Sequence, residues 1–444
     1  MPHTPDNPPQ SRRSFIKTTA AASAAVWPSA ALASGARAAG SDEVKVGLIG
    51  AGGRGRGAAS QALTAEPYAK LVAIADAFAD RTEDATSMLK EQVSEDSGEG
   101  IGNRVAVEPE KQFAGFDAYK KVIDMSDVVI LTSTPHFRPR HLRAAVEAGK
   151  HVFCEKPVAV DPVGIRSVLE STKLAEKNGT SLVSGLCWRY HPVIRATFQQ
   201  LHDGLVGDIT AMECTYNTGG VWDPRKTRQQ CASDMEYQIR NWYYYTWLSG
   251  DFNAEQHVHS LDKMQWAMHD VPPETIRGSG GRTVRTQEKY GNIYDHFNVI
   301  YEYANGVKAF SSCRHWRNSA NEVSDRIFCT EGTVEINSAK TKIVNRKGDT
   351  VWKYEPKKGE ETNMYQVEHN ELFKAIRDNK PINNGKYMSL STMMAISGRM
   401  AAYTGKKLTW DQCMNSKLDL TPENYEFGEA PEVKIAVPGK TKFI

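Results

Sequence analysis

The sequence predicts an α/β chain in two parts: a doubly wound parallel sheet first, then an α+β domain with an open, largely antiparallel sheet. Up to about residue 157, short apolar runs alternate with helical stretches, the pattern of right-handed strand–helix–strand units. Beyond it, strand-like runs follow one another through Asn305-Gly306, Glu331-Gly332 and Lys347-Gly348, which read as hairpin turns. A chain of 444 residues has length for two or three domains with proper cores.

In the first part, "VKVGLI" from Val44 is a buried strand bounded by glycine, and "GGRGRGAASQAL" opens a helix. "AKLVAIAD" is a second strand ending at Asp76, and "DVVILTS" and "HVFCEK" are further strands around a helical "PRHLRAAVEAGK". The charged stretch "KEQVSEDSGEGIGNRVAVEPE" lacks periodicity and reads as a surface insertion. In the second part, "PVGIRSVLESTKLAEKNG" is an amphipathic helix stopped by Gly179, and "HPVIRATFQQLHDGLVG" one ending in Gly207. The strands "DITAMECTYN", "HFNVIYEYANG", "VKAFSSCRHW", "SDRIFCTEGTVEIN" and "TKIVNRKGDTVWKYEP" then build the second sheet, and "VEHNELFKAIRDNK" and "LSTMMAISGRMAAYTG" are late helices. The expected boundaries are 1–39 for a leader, 42–157 for the first domain, 158–417 for the second, and 418–444 for a C-terminal arm.

The leader is "SRRSFIKTTAAASAAV", Ser11 to Val26, followed by small residues offering A-x-A cleavage patterns. Its Arg12-Arg13 pair resembles the twin-arginine translocation signal, which predicts an exported, periplasmic protein. That route moves folded proteins, so a cofactor acquired inside travels with its carrier. Arg12, Arg13, Lys17 and Arg37 stand against a single Asp6 in this segment. Cleavage after Ala39 therefore turns a formal charge of +2 into a nearly neutral chain. Neutrality offers no argument for nucleic acid or an anionic membrane, and no later apolar run is long enough for a membrane anchor. The seven cysteines are scattered, without C-x-x-C or zinc spacing. They read as buried small hydrophobes.

Gly50-Ala51-Gly52-Gly53-Arg54-Gly55 is G-x-G-x-x-G directly between a predicted strand and helix. Gly50 makes the tight turn, Gly52 lets the backbone approach a pyrophosphate, and Gly55 lets helix and strand pack. This is the dinucleotide loop of a Rossmann domain. Asp76, 26 residues after Gly50, ends the second strand. There a carboxylate accepts ribose hydroxyls and repels a 2′-phosphate, which favours NAD; nearby Arg81 leaves NADP open. Glu155-Lys156-Pro157 falls at the carboxyl end of a parallel strand, where ligands bind in such sheets. A lysine there can stabilise a developing alkoxide. Glu255 and His259 are four apart and share one face of a helix, with Asp262 one turn on. His259 can take a hydroxyl proton while a hydride leaves the same carbon. A histidine buried in the core and a metal held by this pair are the other readings, but for the metal no second pair of ligands stands at a telling spacing.

These landmarks, with "STP" at Ser133–Pro135, "AGKHVFCEKP", "WRYHP" at Trp188–Pro192 and His259-x-x-Asp262, resemble the Gfo/Idh/MocA oxidoreductases. That is the family of glucose–fructose oxidoreductase, inositol dehydrogenase and rhizopine-catabolism enzymes. The resemblance runs from about residue 44 to 262. It implies that Lys156 is the catalytic lysine and His259 the proton acceptor. It places Gly50, Gly52, Gly53, Arg54, Gly55, Asp76, Ser133, Pro135 and Glu155 at the cofactor, and Arg189, Tyr190 and neighbours at the substrate. The family's usual aspartate before the histidine is here Glu255, one methylene longer. Of the aromatic run "RNWYYYTW", most belongs to the core and one or two side chains, Trp242 among them, can stack on a sugar.

The implied activity is NAD(P)-dependent oxidation of a CH–OH group in a sugar, polyol or glycoside. Export adds that the cofactor is held tightly and recycled on the enzyme. Coupled oxidation and reduction of two sugars satisfies this, and so does glycoside cleavage by transient oxidation and elimination. A secreted sugar-binding protein of the same fold, and a cytosolic polyol dehydrogenase with a misread N-terminus, are the remaining readings. The open face of the second sheet suggests a homodimer or homotetramer.

Overall fold

The computed structural model describes residues 42–92 and 100–444; the leader at 1–39 lies outside them. The strand Val44–Ile49 buries every residue but Lys45, as a strand covered on both faces does. It lies inside a six-stranded sheet whose order is Gln112–Ala114, Ala69–Asp76, Val44–Ile49, Val128–Leu131, His151–Cys154 and Leu182–Ser184. All pairings are parallel. The chain adds strands on one side of Val44–Ile49 and then on the other. The order therefore reverses at that strand, and a crevice opens at the carboxyl ends between Gly50 and Ser133. The sixth strand comes from beyond residue 157, after the helix Pro162–Asn178, which Asp161 caps through Gly164 N (2.7 Å).

The second sheet has nine strands. Its pairs are antiparallel except Lys308–His315 beside Ile209–Thr218, which run parallel. Along Lys308–His315 the residues Ala309, Ser311, Cys313 and His315 are buried, while Phe310 is 45% exposed. One face is thus covered and the other open. The helix Gly385–Thr404 packs on the covered side and is buried nearly all round, the mark of a core helix.

Several expectations change. The stretch around 90–110 is not wholly a surface insertion, because Ile101, Val105 and Val107 join the first core and Val105 bridges to Leu71. The helix beginning at Pro192 stops at His202, short of Gly207, where the chain turns through Gly204. The strand Thr275–Gly281 and the helix Asp234–Arg240 were not anticipated. Three glycines make the first look like a turn, and pairing with His296–Glu302 overrides that. Glu255 and His259 do not share one helix: the chain breaks between Phe252–Glu255 and Val258–Ala267.

Candidate active site

The cofactor cradle starts at the reversal of the first sheet. Gly50 takes φ +98, and a Cβ there would lie 2.3 Å from the Ser133 nitrogen, so the turn requires glycine. Gly52 begins the helix Gly53–Ala65, whose first turn has no side-chain cap and no acidic residue. A Cβ built on Gly52 or Gly53 meets nothing within 4 Å. The free N–H groups of this helix end therefore face open space, a ready anion site. Asp76 stands opposite, its carboxylate accepting from Ala51 N (2.8 Å) and Phe78 N (3.2 Å). Loop, helix end and Asp76 line one cleft of about 520 Å³ that continues to Lys156 and His259. The residues present fit a dinucleotide.

The opposite end of the cleft holds the polar chemistry. Glu155 N donates to Leu131 O (3.0 Å), continuing the ladder into the Glu-Lys-Pro turn. Buried Arg138 donates to the Pro157 carbonyl (2.6 Å) and pins that turn. Lys156 Nζ donates to Glu255 Oε1 (3.1 Å) and to the Glu255 carbonyl. Gln256 Nε2 donates to Glu255 Oε2 (2.8 Å), and the Tyr216 hydroxyl to Gln256 Oε1 (3.1 Å). The segment bearing Glu255 starts at Asp251, held at φ +73 because its carboxylate accepts from Tyr294 N (2.8 Å) and the Tyr403 hydroxyl. Such a conformation in a non-glycine residue needs partners of this kind. His259 lines the same cleft. Burial, with Lys156 and Lys263 adding to it, holds its pKa well below the usual histidine value, so its imidazole is neutral and can accept a proton.

Lys156, His259, Glu255, Gly50, Gly52, Gly53, Gly55, Asp76, Ser133, Glu155 and Trp242 all line this cleft. Arg54 also lines it, with its guanidinium held by protein partners. It pairs with Glu155 and with Glu368 (3.0 Å), donates to Gln61 Oε1 (2.7 Å), and lies 4.8 Å from the Tyr365 ring centre. Burial works against its charge, and the two carboxylates outweigh it. Arg189 and Tyr190, expected at the substrate, are buried elsewhere. Arg189 pairs with Asp262 (2.9 Å) and Asp270 (2.6 Å), and the Tyr190 hydroxyl donates to Asn384 Oδ1 (2.6 Å). Pro135 starts a buried turn and is not in the cleft wall. His257 faces the second sheet, 2.7 Å from Ser311 Oγ. Of the aromatic run, Tyr243, Tyr244, Tyr245 and Trp247 are core residues.

Sequence reasoning missed Trp188, Tyr216, Trp222, Gln256 and Tyr365, which line the cleft. Trp188 sits inside "WRYHP", beside Arg189 and Tyr190. Tyr365 comes from the helix Met364–Arg377, remote in sequence, and carried no local signal. Among the described residues no group of three or more His, Cys, Asp or Glu is placed to hold a metal ion.

Residues 44–185 match a family model described as an oxidoreductase family with an NAD-binding Rossmann fold, and residues 194–335 match the GFO/IDH/MocA C-terminal domain. The chain belongs to the GFO/IDH/MocA oxidoreductases. This GFO/IDH/MocA oxidoreductase is 26% identical to the inositol 2-dehydrogenase of Rhizobium meliloti over 271 residues, 61% of this chain and 68% of that one. It is 30% identical over 169 residues to a glycosyl hydrolase family 109 protein of Streptomyces coelicolor, 38% of this chain and 32% of that one. Among solved structures it resembles the aldose-aldose oxidoreductase of Caulobacter crescentus complexed with glycerol. That likeness has a TM-score of 0.63 and 16% identity, covering 83% of this chain and 99% of the other; it shows the fold. The dinucleotide cradle is thus that of an NAD-binding oxidoreductase.

Proposed function

We propose that this oxidoreductase oxidises a CH–OH group of a sugar, polyol or glycoside, and that its NAD stays bound and is recycled in the same site. The observation that carries the reading is the Lys156–Glu255 pair facing His259 in a cleft continuous with the glycine loop. NAD, when bound, supplies the hydride acceptor. Neutral His259 takes the hydroxyl proton as the hydride leaves the same carbon, and a C=O bond forms. The Lys156 ammonium hydrogen-bonds the oxygen as charge develops on it. Glu255 fixes that ammonium, and Trp188, Tyr216 and Trp242 offer faces for a sugar ring. The likeness to an inositol 2-dehydrogenase supports a polyol or sugar. The likeness to a glycosyl hydrolase supports a second reading, in which oxidation is transient and eliminates an aglycone before the product is reduced.

The leader completes the reading: export by the twin-arginine route delivers the enzyme with its cofactor to a compartment without a nicotinamide pool. The double substitution R12K/R13K is expected to leave an uncleaved chain in the cytosol, and the exported form to begin close to Ala39. The open face of the second sheet around Phe310 is assigned to self-association as a dimer or tetramer, which sedimentation of the mature protein tests.

The deciding experiment is the absorption spectrum and released nucleotide of enzyme purified without added cofactor, then challenged with sugars. Nucleotide that survives dialysis and develops a reduced-nicotinamide band supports the reading, and product analysis separates oxidoreduction from glycoside cleavage. Protein that arrives empty and turns over only with NAD from solution removes the recycled cofactor.

A further inference from the structure

In a sheet of this order the acidic residue ending the second strand meets the ribose, and the base lies beyond it, away from the glycine loop. Beyond Asp76 come Ala77, Phe78 and Asp80. A second small cavity of about 80 Å³ continues past Asp76 between Ala77, Phe116 and Phe137. The first domain does not finish this end by itself. Arg240, from the helix Asp234–Arg240, holds Asp80 through two bonds of 3.0 and 3.1 Å and lies 3.8 Å from the centre of the Phe78 ring. From the C-terminal arm, the Phe427 ring sits 5.5 Å from Phe78 and 4.8 Å from Phe116. The Tyr425 hydroxyl lies 2.9 Å from His136 Nε2. The arm and the helix also hold each other: Met235 N donates to Gly428 O (3.1 Å), and Gln238 Nε2 to Pro431 O (3.0 Å). These contacts make one ladder, Arg240–Phe78–Phe427–Phe116, across both domains and the arm.

Resting on the retained-cofactor reading above, we propose that Arg240 and the C-terminal arm form a strap that closes the adenosine end of the cleft and slows escape of the dinucleotide. The arm lies outside both stretches that match the family models. A dinucleotide that leaves adenosine-first must part Arg240 from Asp80 and lift Phe427 off Phe78. Phe427 is 46% exposed, so its side chain serves the ladder more than the core.

The test uses full-length enzyme loaded with NAD, as wild type, Phe427→Ala, Asp80→Asn and the double variant. Release is followed by alcohol dehydrogenase and ethanol, which reduce whatever NAD escapes, and uptake by mixing NAD with the emptied protein. The expected result is release at least tenfold faster in the double variant, with smaller gains in each single one and thermal midpoints unchanged. Uptake quickens as well, because a strap obstructs both directions, and Phe427→Trp restores slow exchange. Release and uptake within twofold of wild type overturn the proposal. So does faster release with unchanged uptake, which marks a lost contact rather than a strap. Rapid release from the wild type itself defeats the recycled cofactor, and the ratio between variant and wild type still decides the strap.

Discussion

The ammonium of Lys156 and the carboxylate of Glu255 meet at 3.1 Å, though 99 residues of chain separate them. Both side chains are about nine-tenths buried. The pair fixes the lysine beside His259 before any substrate arrives, which saves ordering it during the reaction.

Removing the lysine should therefore abolish chemistry and spare cofactor binding. Lys156→Met is expected to lower kcat by about 10²–10⁴-fold while bound NAD, measured after denaturation, stays at the wild-type level. Glu255→Gln keeps the carbonyl as a partner for the ammonium and should lose less. A Lys156→Met enzyme within tenfold of wild type sinks this assignment.

The acid limb of the pH–rate profile should lie well below 6.5. Burial and the nearby Lys156 and Lys263 depress the pKa of His259, so the neutral, proton-accepting form persists as the pH falls through the ordinary histidine range. Measuring kcat/KM from pH 4 to 8 checks this, and a limb centred near 6.5 contradicts it.

Stability should fall on acidification below the same point. Burial lowers both His136 and His315 to about 4. Below pH 6.5 the unfolded chain takes up protons at these residues and the folded protein does not, so each costs about 1.4 kcal/mol per pH unit down to its folded value. Asp251 works in the opposite sense. Burial raises it to about 6, so the folded state holds its proton first and gains stability as pH falls from 6 towards 4. Burial lowers His141, His257, His259 and His369 in the same sense as the first two, and raises Glu368 in the sense of Asp251. Among the strongly shifted groups the six histidines outweigh the two carboxyls, and urea midpoints should fall from pH 6.5 to 4.5.

Two glycines should separate folding from cofactor binding. Gly50→Ala forces a Cβ to 2.3 Å from the Ser133 nitrogen at φ +98, a strain of about 1–3 kcal/mol before the clash is counted. Gly52→Ala meets open space and should change stability by no more than about 1 kcal/mol, yet occupy the room where a pyrophosphate approaches. Thermal melts with and without NAD distinguish them: the first variant melts early, and the second loses the shift that NAD produces.

Arg54→Gln should act on stability rather than on the cofactor. It leaves Glu155 without its cation and fully buried Glu368, whose carboxyl burial and Glu155 already hold well above the usual carboxylate range, without its donor, a loss of about 1–3 kcal/mol. A collapse of NAD affinity at an unchanged melting temperature contradicts this.

The parallel sheet, the glycine loop, Asp76 and the strand-end lysine were legible because each rests on local pattern: apolar runs, a strand–loop–helix junction, a residue at a strand terminus. Trp188, Tyr216 and Tyr365 were not, since nothing within a few residues of them reports which wall they join. That Trp188 lines the cleft while its neighbours Arg189 and Tyr190 are buried beside it has the same origin. Along a short irregular turn, only the packing of Asp262, Asp270 and Asn384 decides which side chain is consumed by the core and which is left to the cleft. Sequence by itself determined the order of elements and the chemistry at the ends of strands, where a one-dimensional pattern and the local backbone geometry coincide. Tertiary structure alone decided that Arg54 serves two carboxylates, that Glu255 reaches Lys156, and that the arm meets Phe78, because each is a contact between segments brought together only by folding.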